Sequence, residues 1–224
     1  MNKFSRYFIL VSLFSFLSCG GPEKENKAAG TEKEQPSQGQ KKNIIFFGDS
    51  LTAGYGLDDP SMAFPALIQK KLDSLGLDYK AVNAGVSGET SSGGLGRIDW
   101  ILKQPVDVFI LELGANDGLR GISPEETDKN LQLIIDRVKA ANPSASIIVA
   151  GMMVPPNMGQ QYSKKFSSIF ENISKENNAV LIPFLLEGVG GEADLNQADG
   201  IHPTPEGHAI VAETVWKSLS KIVR

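Results

Sequence analysis

A chain of 224 residues with 41% hydrophobic side chains suits one well-packed domain and is too short for two of ordinary size once its N-terminal leader is set aside. The formal net charge of -4, with no Lys/Arg stripe and no interleaved aromatic platform, excludes a nucleic-acid partner. Cys19 is the only cysteine, so no intramolecular disulfide forms.

Lys3 and Arg6 precede an apolar run from Phe8 to Leu17, and the small residue Ser18 follows it. The run is about half of the ~20 apolar residues that a membrane-spanning helix needs, so residues 1–18 read as an export signal peptide. Cys19 directly after the run resembles a bacterial lipoprotein cleavage site, although Phe16 and Leu17 stand where the usual lipobox has an aliphatic and then a small residue. The expectation is a cell-envelope lipoprotein anchored to a membrane through lipid on Cys19; a soluble secreted or periplasmic protein is the alternative. From Gly20 to Lys42 the only apolar side chains are Ala28 and Ala29. Such a segment buries too little to offset its chain entropy, and residues 19–42 read as a lipidated cysteine and disordered tether. The folded domain is expected over residues 43–224.

Asn43 to Phe47 is a short apolar, β-branched and aromatic run that suits a buried strand and stops at Gly48. A helix is expected from Ser61 to Leu75, with Phe64, Leu67, Ile68, Leu72 and Leu75 on one face and Gly76 as its stop. Tyr79 to Asn83 reads as a second strand. A small-residue loop, AGVSGETSSGG, follows, then a helix carrying Leu95, Ile98, Ile101 and Leu102. Val106 to Leu113 is the most continuous apolar strand and is expected at the sheet centre. After the loop GANDGLRG, Ser123, Pro124 and Glu126 form a capping box ahead of Leu131, Ile134, Ile135 and Val138. Ser146 to Ala150 is the fourth strand, Gln160 to Asn178 the next helix, and Val180 to Ile182 the fifth strand. The last helix begins at Thr204 with Pro205 behind it and runs to about Ile222. Strand and helix alternate five times, which predicts a three-layer α/β/α sandwich around a five-stranded, mainly parallel sheet.

In such a sheet, ligands bind beyond the carboxyl ends of the strands, so the loops there can be read together. They carry Asp49 and Ser50, then Ser87, Gly88 and Glu89, then Asn116 and Asp117, then Met152 to Pro156, and late in the chain Asp199 and His202. Acyl transfer needs a nucleophilic hydroxyl, an imidazole to take its proton, a carboxylate to hold the imidazole, and donors for the oxyanion. All four kinds are present. Asp199 and His202 in DGIHPT are three residues apart, and a helix starting near Ser50 would aim free N–H groups at its hydroxyl. The bland alternative has Asp49 and Ser50 only turning the chain and His202 flanking a helix on the surface. Candidate oxyanion donors are the backbone N–H groups of Ser50 and Gly88 and the side-chain amide of Asn116. His208, the second of the 2 histidines, lies inside the last helix and reads as structural. No metal-ligand spacing occurs, the G-x-S-x-G elbow is broken by Thr52, and the glycine clusters fit neither G-x-G-x-x-G nor a P-loop, so neither metal nor cofactor is expected.

GDSL at 48–51, SGET at 87–90, GAND at 114–117 and DGIHP at 199–203 resemble the four blocks of the SGNH (GDSL) hydrolases. ELGANDGLRG and the IPFLLEGV stretch are similar to the bacterial thioesterase/lysophospholipase and arylesterase type within that family. The resemblance covers nearly all of residues 43–224 and implies a flavodoxin-like SGNH fold. It implies Ser50 as nucleophile, His202 as base oriented by Asp199, and Ser50, Gly88 and Asn116 as the oxyanion hole. It also implies a substrate groove at the loops after the third and fourth strands, here Leu119, Ile122, Met153 and Pro155. The expected substrates are carboxylic esters, thioesters or lysolipids, handled by a monomer. Two other readings stay open: a carbohydrate O-deacetylase of the same superfamily, and a catalytically silent envelope binding protein.

Overall fold

A computed structural model describes residues 41–224. The expected export signal, Cys19 and the expected tether up to residue 40 lie outside the described residues. Strand β1 (Lys42–Gly48) starts one residue before Asn43, because Lys42 pairs with Tyr79 and its N–H reaches the Asp78 carbonyl at 3.0 Å. Ile44 to Phe47 are wholly buried, as a strand covered on both faces requires. The remaining strands are β2 (Tyr79–Gly85), β3 (Val108–Glu112), β4 (Ser146–Ala150) and β5 (Val180–Ile182). They form one parallel sheet in the order β2-β1-β3-β4-β5, and β3 is the central strand, as expected.

The helices are α1 (Ser50–Ala53), α2 (Phe64–Ser74), α3 (Ser91–Ile101), α4 (Ala115–Leu119), α5 (Pro124–Ala141), α6 (Gln160–Asn177) and α7 (Pro205–Leu219). α2 packs with α7, while α5 packs between α3 and α6, giving the predicted three layers. Phe46 meets Phe64 edge-on from one side of the sheet, and Phe47 lies against Phe109. Among the described residues no helix is long and apolar enough to cross a membrane.

Three local expectations need correction. The helix foreseen from Ser61 is a 3-10 turn, Pro60–Met62, followed by α2 starting at Phe64; Pro65 tolerates only the first turn of a helix, so α2 cannot begin earlier. α3 begins at Ser91, inside the stretch expected as loop, with Thr90 as its cap. Gly94 belongs to that helix because a Cβ there would sit 2.4 Å from Leu113 Cδ1; the glycine lets the helix lie close on the sheet. GANDGLRG contains α4, entered through Gly114 at φ 116. At α5 the capping residue is as foreseen, with Ser123 Oγ accepting from the Glu126 N–H at 3.1 Å.

From β1 the chain passes outward to β2, then returns across β1 to β3 on its other side. The carboxyl ends of β1 and β3 therefore flank a topological switch point. Gly48 pairs with Glu112 there, and each strand releases its loop into the same crevice.

Candidate active site

β1 ends in Gly48, and the chain turns at once into α1. Asp49 caps that helix, its Oδ1 accepting from the Leu51 N–H at 3.0 Å. Asp49 is thus a cap, as the bland reading has it, while Ser50 meets an imidazole. His202 Nε2 stands 2.9 Å from Ser50 Oγ, across 152 positions of sequence. On the other side of the ring, Nδ1 lies 2.6 Å from Asp199 Oδ2. A carboxylate can only accept, so Nδ1 carries the hydrogen and the Nε2 lone pair faces the serine hydroxyl.

The loop of His202 is shaped by the same aspartate. Asp199 Oδ1 accepts the N–H groups of Ile201 at 2.9 Å and His202 at 3.0 Å. Its bond to the His202 ring, and then these two backbone bonds, hold the Asp199 carboxyl down at about 2, so it stays ionised under the imidazole. Gln197 closes the loop from behind: its backbone N–H meets the His202 carbonyl at 2.7 Å, and its amide bridges the carbonyls of Tyr55 and Pro203. The Tyr55 ring, half exposed, lies against His202 with centroids 4.7 Å apart.

The three candidate oxyanion donors differ. Among the described residues the backbone N–H groups of Ser50 and Gly88 have no acceptor. Gly88 sits at φ 77, a conformation that suits glycine, and Arg120 donates to its carbonyl at 2.8 Å. The Asn116 amide is already engaged, with Nδ2 3.0 Å from Asp49 Oδ2 and 3.0 Å from the Glu89 carbonyl. Both of its hydrogens are spent, so it reaches a substrate oxygen only by exchanging one of these bonds.

Three supporting groups, Arg97, Tyr55 and Glu112, escaped the sequence reading, and a fourth, Asp117, was singled out there without a partner or a role. Asp117, wholly buried, takes the N–H and hydroxyl of Ser91 at 2.8 and 2.5 Å. Arg97 forks onto Glu89 and donates to the Ala84 carbonyl at 2.8 Å, fixing the Gly88 loop to the end of β2. Tyr55 sets its ring at a tilt of 45° against the histidine. Glu112, in the middle of the core, was hidden in VDVFILEL; its one signal was a charge-bearing residue inside an otherwise apolar strand, which is rare without a purpose.

Of the expected groove residues, Leu119, Met153 and Pro155 are exposed and Ile122 is half-buried. The Ile122 carbonyl accepts from Tyr162 Oη at 2.7 Å, which joins the loop after β3 to α6. A cleft of about 550 Å³ is lined by Met153, Val154, Gln160, Ser163, Lys164 and Ser167; Met153 alone of the four contributes to it, and Ser50 does not. His208 lies apart from the relay, buried in α7, with Nδ1 accepting from the Phe64 N–H at 3.3 Å. Among the described residues no group of three or more His, Cys, Asp or Glu is arranged to hold a metal ion.

Comparison with known proteins finds relatives over most of the described residues. The GDSL-like Lipase/Acylhydrolase family matches residues 46–210. Esterase TesA of Pseudomonas aeruginosa is 38% identical over 187 residues, which are 83% of this chain and 92% of that protein. Thioesterase 1/protease 1/lysophospholipase L1 of Escherichia coli (strain K12) is 39% identical over 181 residues, 80% of this chain and 84% of that protein. The crystal structure of TesA superposes with a TM-score of 0.77 at 38% identity, covering 81% of this chain and 99% of that one.

Proposed function

The chain belongs to the GDSL-like lipase/acylhydrolase family, and from that premise we propose that it hydrolyses carboxylic esters or thioesters through an acyl-enzyme on Ser50. The observation that carries this reading is the relay from Ser50 Oγ through His202 to Asp199, with contacts of 2.9 and 2.6 Å. As Ser50 Oγ bonds to the carbonyl carbon, its proton passes to His202 Nε2 and the carbonyl π pair moves onto oxygen. That oxyanion faces the unpaired N–H groups of Ser50 and Gly88, and draws an Asn116 hydrogen away from the Glu89 carbonyl. Each such donor is worth about 10²- to 10³-fold in rate. Collapse expels the alcohol or thiol, which takes the proton from Nε2. Water then attacks the acyl-enzyme, again giving its proton to Nε2, and Ser50 recovers it as the acid leaves.

The exposed apolar side chains of Leu119 and Met153 support acyl or aryl groups over sugars as the recognised part of the substrate, since flexible methionine accommodates varied apolar shapes. The experiment is hydrolysis of p-nitrophenyl acetate by the purified chain, with Ser50→Ala losing about four to six orders of magnitude in kcat. A silent binding protein would hydrolyse nothing with either residue in place.

We further read the chain as a monomeric exported lipoprotein, anchored by acyl chains on Cys19. Support comes from the apolar run Phe8 to Leu17 and the position of Cys19 after it.

A further inference from the structure

Glu112 ends β3 directly opposite Gly48 of β1, so its side chain is delivered beneath the turn that carries Ser50. The carboxyl is wholly buried. One oxygen, Oε2, accepts from the Asp49 N–H at 3.1 Å and from Thr52 Oγ1 at 2.7 Å. These are the residues before and after Ser50-Leu51, so a single acceptor grips both flanks of the nucleophile. The site is built for it: a Cβ on residue 48 would lie 2.3 Å from Glu112 Oε2 and 2.2 Å from Thr52 Oγ1, so only glycine admits the carboxyl there.

The other oxygen, Oε1, is buried and has no partner among the described residues. Neighbouring Asp49 is equally buried, its Oδ1 on the Leu51 N–H and its Oδ2 on the Asn116 amide. No cation bonds to either carboxyl among the described residues; Arg97 forks onto Glu89 and donates to the carbonyls of Ala84 and, at 3.4 Å, Gly48. Two adjoining buried carboxyls without a counter-ion do not both ionise. Burial first, and the Asp49 charge second, push Glu112 well above the ordinary carboxyl range. Asp49, accepting two N–H bonds, is the better seat for the negative charge, and Glu112 is left as the un-ionised acid.

We propose that Glu112 is a positioning residue for hydrolysis, clamping the turn around Ser50 and, through Asp49, the Asn116 amide beside it. A residue serving packing alone would be better apolar, since leucine fills such a space without stranding an oxygen. The clamp has to be an acceptor, and the un-ionised acid supplies one without setting a second buried charge beside Asp49. This inference rests on Ser50 being the nucleophile.

The experiment uses the full chain with p-nitrophenyl acetate, measuring kcat and KM per active site titrated with a reactive phosphonate, and folding by circular dichroism. Glu112→Gln, whose amide oxygen accepts from the same two donors, is expected within about 3-fold of the parent kcat. Glu112→Ala is expected to lower kcat about 10- to 100-fold with KM within about 2-fold, the signature of a displaced nucleophile. A folded Glu112→Ala with unchanged kcat overturns the inference, as does a Gln variant as impaired as the Ala variant. Should Glu112→Ala not fold, Thr52→Val removes one of the two bonds. A kcat loss of about 3- to 10-fold at constant KM then supports the clamp, and no loss overturns it. Ser50→Ala separates the two levels: if it is inactive while the clamp variants are unaffected, the clamp alone fails, whereas an active Ser50→Ala removes the nucleophile and the inference with it.

Discussion

Asp117 and Ser91 form a buried clamp between the two loops that flank Ser50, the carboxylate taking the serine N–H at 2.8 Å and its hydroxyl at 2.5 Å. Asp117 adjoins Asn116 at the start of α4, and Ser91 opens α3 just after the Gly88 loop. Thr127 adds its hydroxyl to Asp117 at 3.3 Å, and Asn130 donates to Ser91 Oγ at 3.1 Å. One carboxylate therefore sets the spacing between two of the candidate oxyanion donors. Asp117→Ala is expected to cost about 2–4 kcal/mol of stability, because it strands several buried donors. In the protein that remains folded it should also lower kcat about 10- to 100-fold, with little change in KM. A thermal melt and titrated-site kinetics well below the midpoint separate the two effects; a variant that melts lower yet turns over normally would make the clamp purely structural.

Tyr55 offers its ring to the imidazole at 4.7 Å between centroids. In the proposed reaction His202 becomes a cation when it holds the serine proton, and an aromatic ring at a half-exposed site stabilises a cation by roughly 0.5–1 kcal/mol. Tyr55→Leu should therefore slow kcat about 2- to 5-fold, while Tyr55→Phe, which keeps the ring, should stay within 2-fold or so. Equal rates for all three proteins would remove the ring from the reaction.

Cys19→Ala is expected to move the protein from the membrane fraction to the soluble fraction of the producing cell, and to abolish incorporation of labelled fatty acid. Two or more acyl chains on one residue hold a protein at a bilayer, where one holds it only reversibly. Labelled fatty acid retained in the variant would place the lipid elsewhere.

How much of this was legible in the letters divides along a physical line. The strands are read correctly because runs such as Ile44 to Phe47 are covered on both faces, and continuous apolar sequence has few other uses. The ends of helices were less legible: α3 starts among glycines at Gly93 and Gly94 because close packing on Leu113 and Phe47 outweighs poor helix propensity. Ser50, Asp199 and His202, which the structure brings together, could be singled out because a hydroxyl, an imidazole and a carboxylate are each a chemically distinct residue type in a recognisable block. Glu112 and Arg97 were not, and Asp117 was named without its partner, since what these residues do lies in hydrogen bonds to partners 60, 13 and 26 positions away, and nothing local announces such pairs. The engaged state of Asn116 is likewise a property of the assembled loops.

His208 gives the protein a stability that depends on acidity with a definite sign. Its ring is buried, stacks on Phe64 with centroids 6.2 Å apart, and accepts from the Phe64 N–H, while its Nε2 has no partner among the described residues. Burial first, and the charge of His202 second, push it down to about 4 from the ordinary histidine value of 6.5. In the unfolded chain the imidazole takes its proton near 6.5, so between about 6.5 and 4 the unfolded state binds more protons and stability falls as pH falls. Above 6.5 or so both states are neutral, and below about 4 both are charged, so the loss is confined to that window and amounts to roughly 3 kcal/mol in all. Asp49, raised by burial to about 6, acts in the opposite direction, its contribution being lost as pH rises through that value. The two are separated by comparison with His208→Asn, whose carbonyl oxygen is placed to accept from Phe64 while carrying no titratable group. The parent should lose stability relative to this variant between pH 6.5 and 4 in denaturant titrations, with the difference flat from pH 7 to 9. A constant difference across the whole range would mean that the buried imidazole takes up its proton as readily in the folded protein as in the unfolded chain.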